Sequence, residues 1–254
     1  MRLIVLASLL ALCGAADAAA RPLDAIRQRG ALTLCAHPNA LPFASRQGDV
    51  PGFQIEIARE LAKRLEVSLE QHWVINSFQY RRADCDVILD AIADRAVLAE
   101  VGLRMSRPYH RSGVVLAVGP KSTAASLAEL GSEQRVGVQV GSIVSMMLGK
   151  RGVKTSPFAF EDDIMEALAK GEIDAAAVTP ATMGWFNHAH PDARIRRIPA
   201  FEDEPDLNWN VAVGILSPDE KLRQGIDAAL DALLADGTLA RIYARYDVEL
   251  QPPK

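Results

Sequence analysis

The chain has 254 residues, a formal net charge of −4, 49% hydrophobic residues and 24% charged ones. That length allows one large domain or two modest ones, each with an ample core. Its 28 basic residues are scattered among 32 acidic ones, which excludes the basic surface expected of a nucleic-acid or acidic-lipid binder.

Residues 1–20 read as a cleaved signal peptide. Arg2 supplies the positive charge, residues 3–12 are apolar, and small residues at 16–20 suit signal peptidase. The apolar stretch is about half of the ~20 residues needed to span a bilayer, so the expectation is a soluble periplasmic protein. Cys13 raises a lipoprotein as the rival, but Leu12 stands before it rather than Gly or Ala. Cys35 and Cys85 remain after the leader; an even count in an oxidising compartment favours one disulfide, with two buried thiols as the alternative. No His/Cys/Asp/Glu grouping has zinc-ligand spacing. His188 and His190 lie two apart, which on a helix sets them on different faces. No metal or cofactor is expected.

In chain order, a short helix over 23–29 closes at Gly30, and a strand over 31–36 stops at Pro38. Pro38 and Pro42 pre-set the following loop so that Phe43 is presented. Apolar residues recurring at three- and four-residue steps predict an amphipathic helix from Phe53, after Pro51-Gly52. Strands follow at 67–75 and 85–89. Further on come a strand at 135–139, a helix at 143–148 after the Gly141-Ser142 turn, and a strand at 155–160. A helix over 162–170 is N-capped by Asp162, has Glu166 in the next turn and stops at Gly171. Strands at 173–178 and 211–215 and helices at 218–235 and 238–245 complete the chain. Alternating strands and helices imply a mostly parallel sheet, and strands near 114–118 and 209–215 cross between two units.

Six segments occur in an order that resembles the extracellular solute-binding proteins of the polar amino-acid type. They are Pro42-Phe43, Gly52-Phe53-x-Ile55-Glu56-Ile57-Ala58, Cys85-Asp86-Val87-Ile88, Ser106-x-Pro108-Tyr109, Val136-Gly137-Val138-Gln139-x-Gly141-Ser142, and Ala235-Asp236-Gly237-Thr238 with Ile242-Tyr243 and Tyr246. The resemblance implies an α/β, periplasmic binding protein-like type II fold, with two α/β lobes joined by two crossing strands around a central cleft. Lobe 1 is expected over 21–111 plus 209–254 and lobe 2 over 112–208.

An amino-acid cleft of this family needs an arginine to fork the carboxylate, backbone amides at a helix N-terminus to share its charge, and an acid for the ammonium. The helix N-terminus is present at Gly141-Ser142. The arginine position falls on Ala99, with Arg95 four residues early and Arg104 five late; the acid position falls on Thr179. A missing counter-charge costs several kcal/mol on burial, so an ordinary amino-acid receptor is not expected unless loop irregularity brings Arg95 or Arg104 into place.

Cys35-Ala36-x-Pro38-Asn39-x-Leu41-Pro42-Phe43, with Ala83-Asp84-Cys85-Asp86-Val87 and Arg107-Pro108-Tyr109-His110-Arg111-Ser112, resembles the MxaJ/XoxJ-type offshoot. That resemblance implies a non-enzymatic accessory of a PQQ-dependent methanol or alcohol dehydrogenase, with the dehydrogenase or its c-type cytochrome as partner. The alternative is the substrate-binding component of an ABC importer, with a small polar solute and a permease as partners. Asn39, Phe43, Phe78, Tyr80, Tyr109, Trp185 and Trp209 are the candidate cleft walls; each taken singly also suits core, as do Met146 and Met147. Dehydratases and transglycosylases share the fold, and Glu56, Asp90, Asp94 and Glu100 are the carboxylates that such chemistry would draw on.

Overall fold

The computed structural model describes residues 21–80, 82–93, 103–216 and 219–254. The expected leader and Asp94, Arg95, Ala99 and Glu100 lie outside the described residues. Helix α1 (Leu23–Arg29) ends where Gly30 turns left-handed at φ 76° and its N–H bonds the Ile26 and Arg27 carbonyls. Strand β1 (Ala31–Ala36) is buried along its whole length, as a strand covered on both faces must be. After the β2 (Asn39–Ala40) and β3 (Ala44–Ser45) hairpin, α2 (Phe53–Arg64) buries Phe53, Ile55, Ile57, Ala58, Leu61 and Ala62. That is the stripe its apolar spacing predicts.

Strands β4 (Ser68–Trp73) and β5 (Val87–Ile92) flank β1 in parallel. The first sheet is completed by β6 (Arg104–Met105), β7 (His110–Gly113) and, late in the chain, an antiparallel strand at Asn208–Ile215. The second sheet comprises β8 (Val115–Val118), β9 (Val136–Gln139), β10 (Thr155–Phe158), β11 (Ala175–Val178) and β12 (Arg196–Ile198) in the order β10-β9-β11-β8-β12. β10, β9 and β11 run parallel, while β8 and β12 are antiparallel to their neighbours. Helices α3 (Ile143–Lys150), α4 (Glu161–Lys170) and α5 (Pro180–Ala189) belong to this second lobe, and the chain ends with α6 (Glu220–Ala235) and α7 (Thr238–Ala244) back on the first.

The two passages between lobes are neighbours. β7 pairs antiparallel with β13 (Asn208–Ile215) from Val211↔His110 to Asn208↔Gly113, so one strand leads out and the other returns. Cys35 and Cys85 form the disulfide, with Cα atoms 5.5 Å apart, and tie β1 to the turn that feeds β5. Asp86 beside it has no solvent exposure; it accepts the Thr33 N–H at 2.8 Å and the Arg21 guanidinium at 3.0 Å.

Several elements differ from the sequence expectation, among them the outgoing passage, which is β7 (His110–Gly113), while the strand expected to cross near 114–118 is β8 inside the second sheet. α4 begins at Glu161 with Phe160 at the N-cap and no side-chain cap, so Asp162 is not the cap. The Glu161 carboxyl is instead engaged by Thr179 and Thr182. Helix α5 was not expected from its mixed small and aromatic sequence; Thr179 caps it by accepting the Thr182 N–H, and Pro180 opens it. β5 continues three residues beyond Leu89, because Asp90 takes a left-handed φ of 52° and the β13 register shifts between Ala212 and Gly214 to follow it.

Candidate functional site

Two adjoining cavities open between the lobes. One, of about 190 Å3, is walled by Phe43, Phe53, Asp90, Trp209 and Tyr243 of the first lobe and Thr179 of the second. The other, of about 220 Å3, is walled by Asn39 and Phe43 on one side and Gln139, Phe160, Glu161 and Thr179 on the other. Phe43 and Thr179 wall both. Across the mouth, the His37 and Phe160 rings lie 5.7 Å apart.

Phe43 is held by backbone rather than by chance packing. The Phe53 and Gln54 N–H groups at the start of α2 donate to the Pro42 and Phe43 carbonyls, each at 2.9 Å. Gly52, at φ 92°, lets those chains meet; a Cβ there would collide with the Phe43 carbonyl oxygen. The loop carries a cis Leu41–Pro42 peptide. Phe43 then packs tilted against Phe53 with centroids 5.1 Å apart, Phe53 against Tyr243 at 4.9 Å and Tyr243 against His110 at 4.9 Å, forming a continuous aromatic row.

Asp90 is the acid beside that row, only partly open to the cavity. Its carboxyl accepts the Tyr109 hydroxyl at 2.6 Å, the Gln54 amide at 2.9 Å and the Tyr243 hydroxyl at 3.4 Å. Burial pushes the carboxyl above its ordinary range, and these donors together with nearby His110 pull it part of the way back. Burial also lowers His110, whose Nδ1 accepts the Gln251 N–H at 3.0 Å, so the imidazole is neutral and adds no charge at neutral pH. The Ser106-x-Pro108-Tyr109 segment is what aims Tyr109: Ser106 Oγ accepts the Val213 N–H at 2.9 Å, and Asp227 accepts the Arg107 N–H at 2.7 Å.

Glu161 is the partly buried acid of the other cavity, beside the exposed Asp162. It accepts the Thr179 N–H at 3.0 Å, the Thr179 hydroxyl at 2.8 Å and the Thr182 hydroxyl at 2.5 Å, and burial raises its carboxyl. Thr179 occupies the position where the family resemblance places an ammonium-binding acid, and the acid here reaches the same spot from the adjacent helix. The sequence reading missed Glu161 because its nearness to Thr179 arises where the end of β11 meets the start of α4, eighteen residues away in sequence. The one available clue is an acid at a helix start with Thr179 standing at the acid's usual place.

Of the expected wall residues, Asn39, Phe43, Thr179 and Trp209 line the cavities, and Tyr109 lies directly behind Asp90. Phe78 projects into solvent, 91% exposed, on the short 3-10 turn Ser77–Gln79, remote from the cavity walls. Tyr80 packs on the cluster around Cys35 and Cys85 instead. Arg104 is exposed and lies 4.0 Å from Glu220 on the first lobe, which draws it from the cleft; Arg95 is outside the described residues. Gly141 and Ser142 shape the start of α3, where Ser142 Oγ accepts the Ser145 N–H at 3.3 Å, without walling either cavity. Trp185, on α5 of the second lobe, packs against the first-lobe core and faces Tyr246 at 5.6 Å, and Glu56 bonds the Tyr246 hydroxyl at 2.6 Å; neither walls either cavity. Among the described residues, the ionisable groups on the two cavities are Asp90, His110, Glu161, Asp162 and Tyr243, with no Lys or Arg.

Relatives share this architecture. The histidine-binding periplasmic protein of Escherichia coli (strain K12) is 25% identical over 227 residues, covering 83% of this chain and 86% of its own. A membrane-bound lytic murein transglycosylase F from Desulfosudis oleivorans is 26% identical, over 87% of this chain but 49% of that protein. Among solved structures, an ancestral cationic amino acid solute binding protein superposes with a TM-score of 0.75 at 19% identity, over 89% of this chain and 99% of its own. A mutant of ArgBP from T. maritima gives 0.68 at 23% identity, over 88% and 98%. Residues 32–249 match the profile of bacterial extracellular solute-binding proteins, family 3, and the chain belongs to that family.

Proposed function

We propose that this protein is the substrate-binding component of an ABC importer, which captures a small polar solute between its lobes in the periplasm. The observation that carries this reading is the pair of cavities walled from both lobes, with Phe43 and Thr179 common to both. Relatives named as histidine-binding and as lysine/arginine/ornithine-binding periplasmic proteins support a small solute as ligand. The lobes divide near residues 111/112 and 208/209, where β7 and β13 pair, and residues 1–20 act as the export leader. A solute that contacts both lobes favours the closed arrangement by its differential affinity for the two states. No chemistry on the solute is needed for that role.

The accessory role for a PQQ-dependent dehydrogenase is the second reading, supported by the Cys35–Cys85 bond beside the Pro38-Asn39 loop and by the aromatic wall. One experiment separates the two. The tagged mature protein is screened against small solutes by thermal shift and used to capture partners from periplasmic extract. Stabilisation by a solute with compaction in small-angle scattering is expected. Recovery of a dehydrogenase or its cytochrome without any solute response would replace the importer reading.

A further inference from the structure

The first cavity carries a charge arrangement that its fold does not require. Asp90 has no cationic partner among the described residues; its three side-chain donors are the neutral Tyr109, Gln54 and Tyr243. It also holds a left-handed φ of 52° in mid-strand, a conformation that costs a non-glycine residue free energy and persists only where the surroundings impose it. The cavity around this acid is lined by Phe43, Phe53, Tyr243 and Trp209, the Phe53 and Tyr243 side chains being almost wholly buried in its floor. A carboxylate set in an aromatic enclosure stabilises an organic cation twice, by direct charge attraction and by the ring quadrupoles.

On the importer reading, we propose that Asp90, with Phe43, Phe53, Tyr243 and Trp209, forms the anchor for the ammonium group of a small organic amine that lacks a carboxylate. The absence of Lys and Arg from both cavity walls, among the described residues, leaves a ligand carboxylate without a counter-charge there. A volume of about 190 Å3, roughly six waters' share of liquid at about 30 Å3 each, has room for a small ligand. Tyr109 and Gln54 are positioning residues, since they orient Asp90 from behind.

The ionised form of Asp90 is the one that binds, so affinity for a permanent cation rises with pH through the elevated titration of that carboxyl. The titratable groups facing Asp90 are Tyr109, Tyr243 and His110. Both tyrosines stay neutral, and protonation of His110 at low pH works in the same direction as protonation of Asp90.

The test is calorimetric titration of the mature protein with choline, phenethylammonium and putrescine, against 3,3-dimethylbutan-1-ol, the uncharged isostere of choline, and against L-histidine and L-arginine. The expected result is that at least one amine binds tenfold or more tighter than the isostere and either amino acid. Asp90→Asn, which keeps the left-handed backbone accessible, is expected to weaken that amine tenfold or more while its melting temperature is unchanged or higher. Choline affinity in the wild type should rise with pH, and this dependence should shrink in the variant. If Asp90→Asn unfolds, Tyr109→Phe, which removes one donor to the same carboxyl, provides the second reading through a shifted pH profile of choline binding. Equal amine affinity with and without the Asp90 carboxylate overturns the proposal. So does amino-acid binding without amine binding, and that result leaves the importer reading standing; no response to any solute removes both.

Discussion

Among the described residues, two carboxyls of the cleft, Asp90 and Glu161, have donors but no cation beside them, and burial gives their effect on stability a definite sign. Burial raises Glu161 above its unfolded value, so the folded state holds the proton more tightly. Stability therefore falls as pH rises from the ordinary carboxylate range, about 4, through the elevated folded value. Glu161→Gln removes that titration. Denaturant titrations should show the variant gaining on the wild type as pH rises and the two converging at low pH; parallel curves would contradict the assignment. Thr179→Val deletes a hydroxyl that donates to Glu161 at 2.8 Å. Leaving a buried acid short of a partner costs about 1–3 kcal/mol, to be read as a lower urea midpoint with an unchanged slope.

At the scale of elements, the first lobe is fastened where β1 meets β5. The Cys35–Cys85 bond closes a loop of 50 residues, which on the chain-entropy estimate stabilises the folded state by about 4 kcal/mol. Reduction with dithiothreitol should lower the denaturation midpoint by an amount of that order, and Cys35→Ser/Cys85→Ser should show the same loss without reductant. A loss under about 1 kcal/mol would mean that the Asp86 ion pairs with Arg21 and Arg29 hold the same junction unaided. The aromatic wall depends on another element contact, the seat of the Phe43 loop on the α2 N-terminus. That contact is why the Pro38 to Phe43 stretch lies at the cleft rather than at a sheet edge.

Over the whole molecule, the described residues of the two lobes also touch away from the β7 and β13 pair. Helix α5 of the second lobe lies against the C-terminal turn of the first: Trp185 faces Tyr246 at 5.6 Å, and a Cβ on Gly184 would strike the Asp247 carbonyl. At the mouth, His37 meets Phe160 at 5.7 Å. Aromatic pairs contribute about 0.5–1.5 kcal/mol, so Phe160→Ala should reduce the closed population and solute affinity about two- to tenfold. Its melting temperature without solute should stay close to that of the wild type. Small-angle scattering with and without solute checks this, and an unchanged affinity would place closure elsewhere. Gly184→Ala should destabilise the protein outright, because backbone rather than a movable side chain opposes the new methyl group.

Most of the elements, and the fold, were legible in the sequence, though α5 was not. The apolar period of 53–64, the stops at Gly30 and Gly171, the buried strand at 31–36 and the two-cysteine count depend on local chemistry and composition, and six short segments in order sufficed for the resemblance. Of the residues the sequence put forward for the cleft, Asn39, Phe43, Thr179 and Trp209 line the two cavities. Only the tertiary structure decided which acids face that cleft. Asp90 is turned inward by a left-handed residue in mid-strand, and Glu161 reaches Thr179 across the junction of a helix and a strand. Neither event leaves a periodic trace, because each is an encounter between residues far apart in the chain. The same reason leaves Phe78, Tyr80, Arg104 and Trp185 off the walls of the two cavities: an aromatic or charged residue has the same local pattern whether it packs in a core, lies in solvent or walls a cavity.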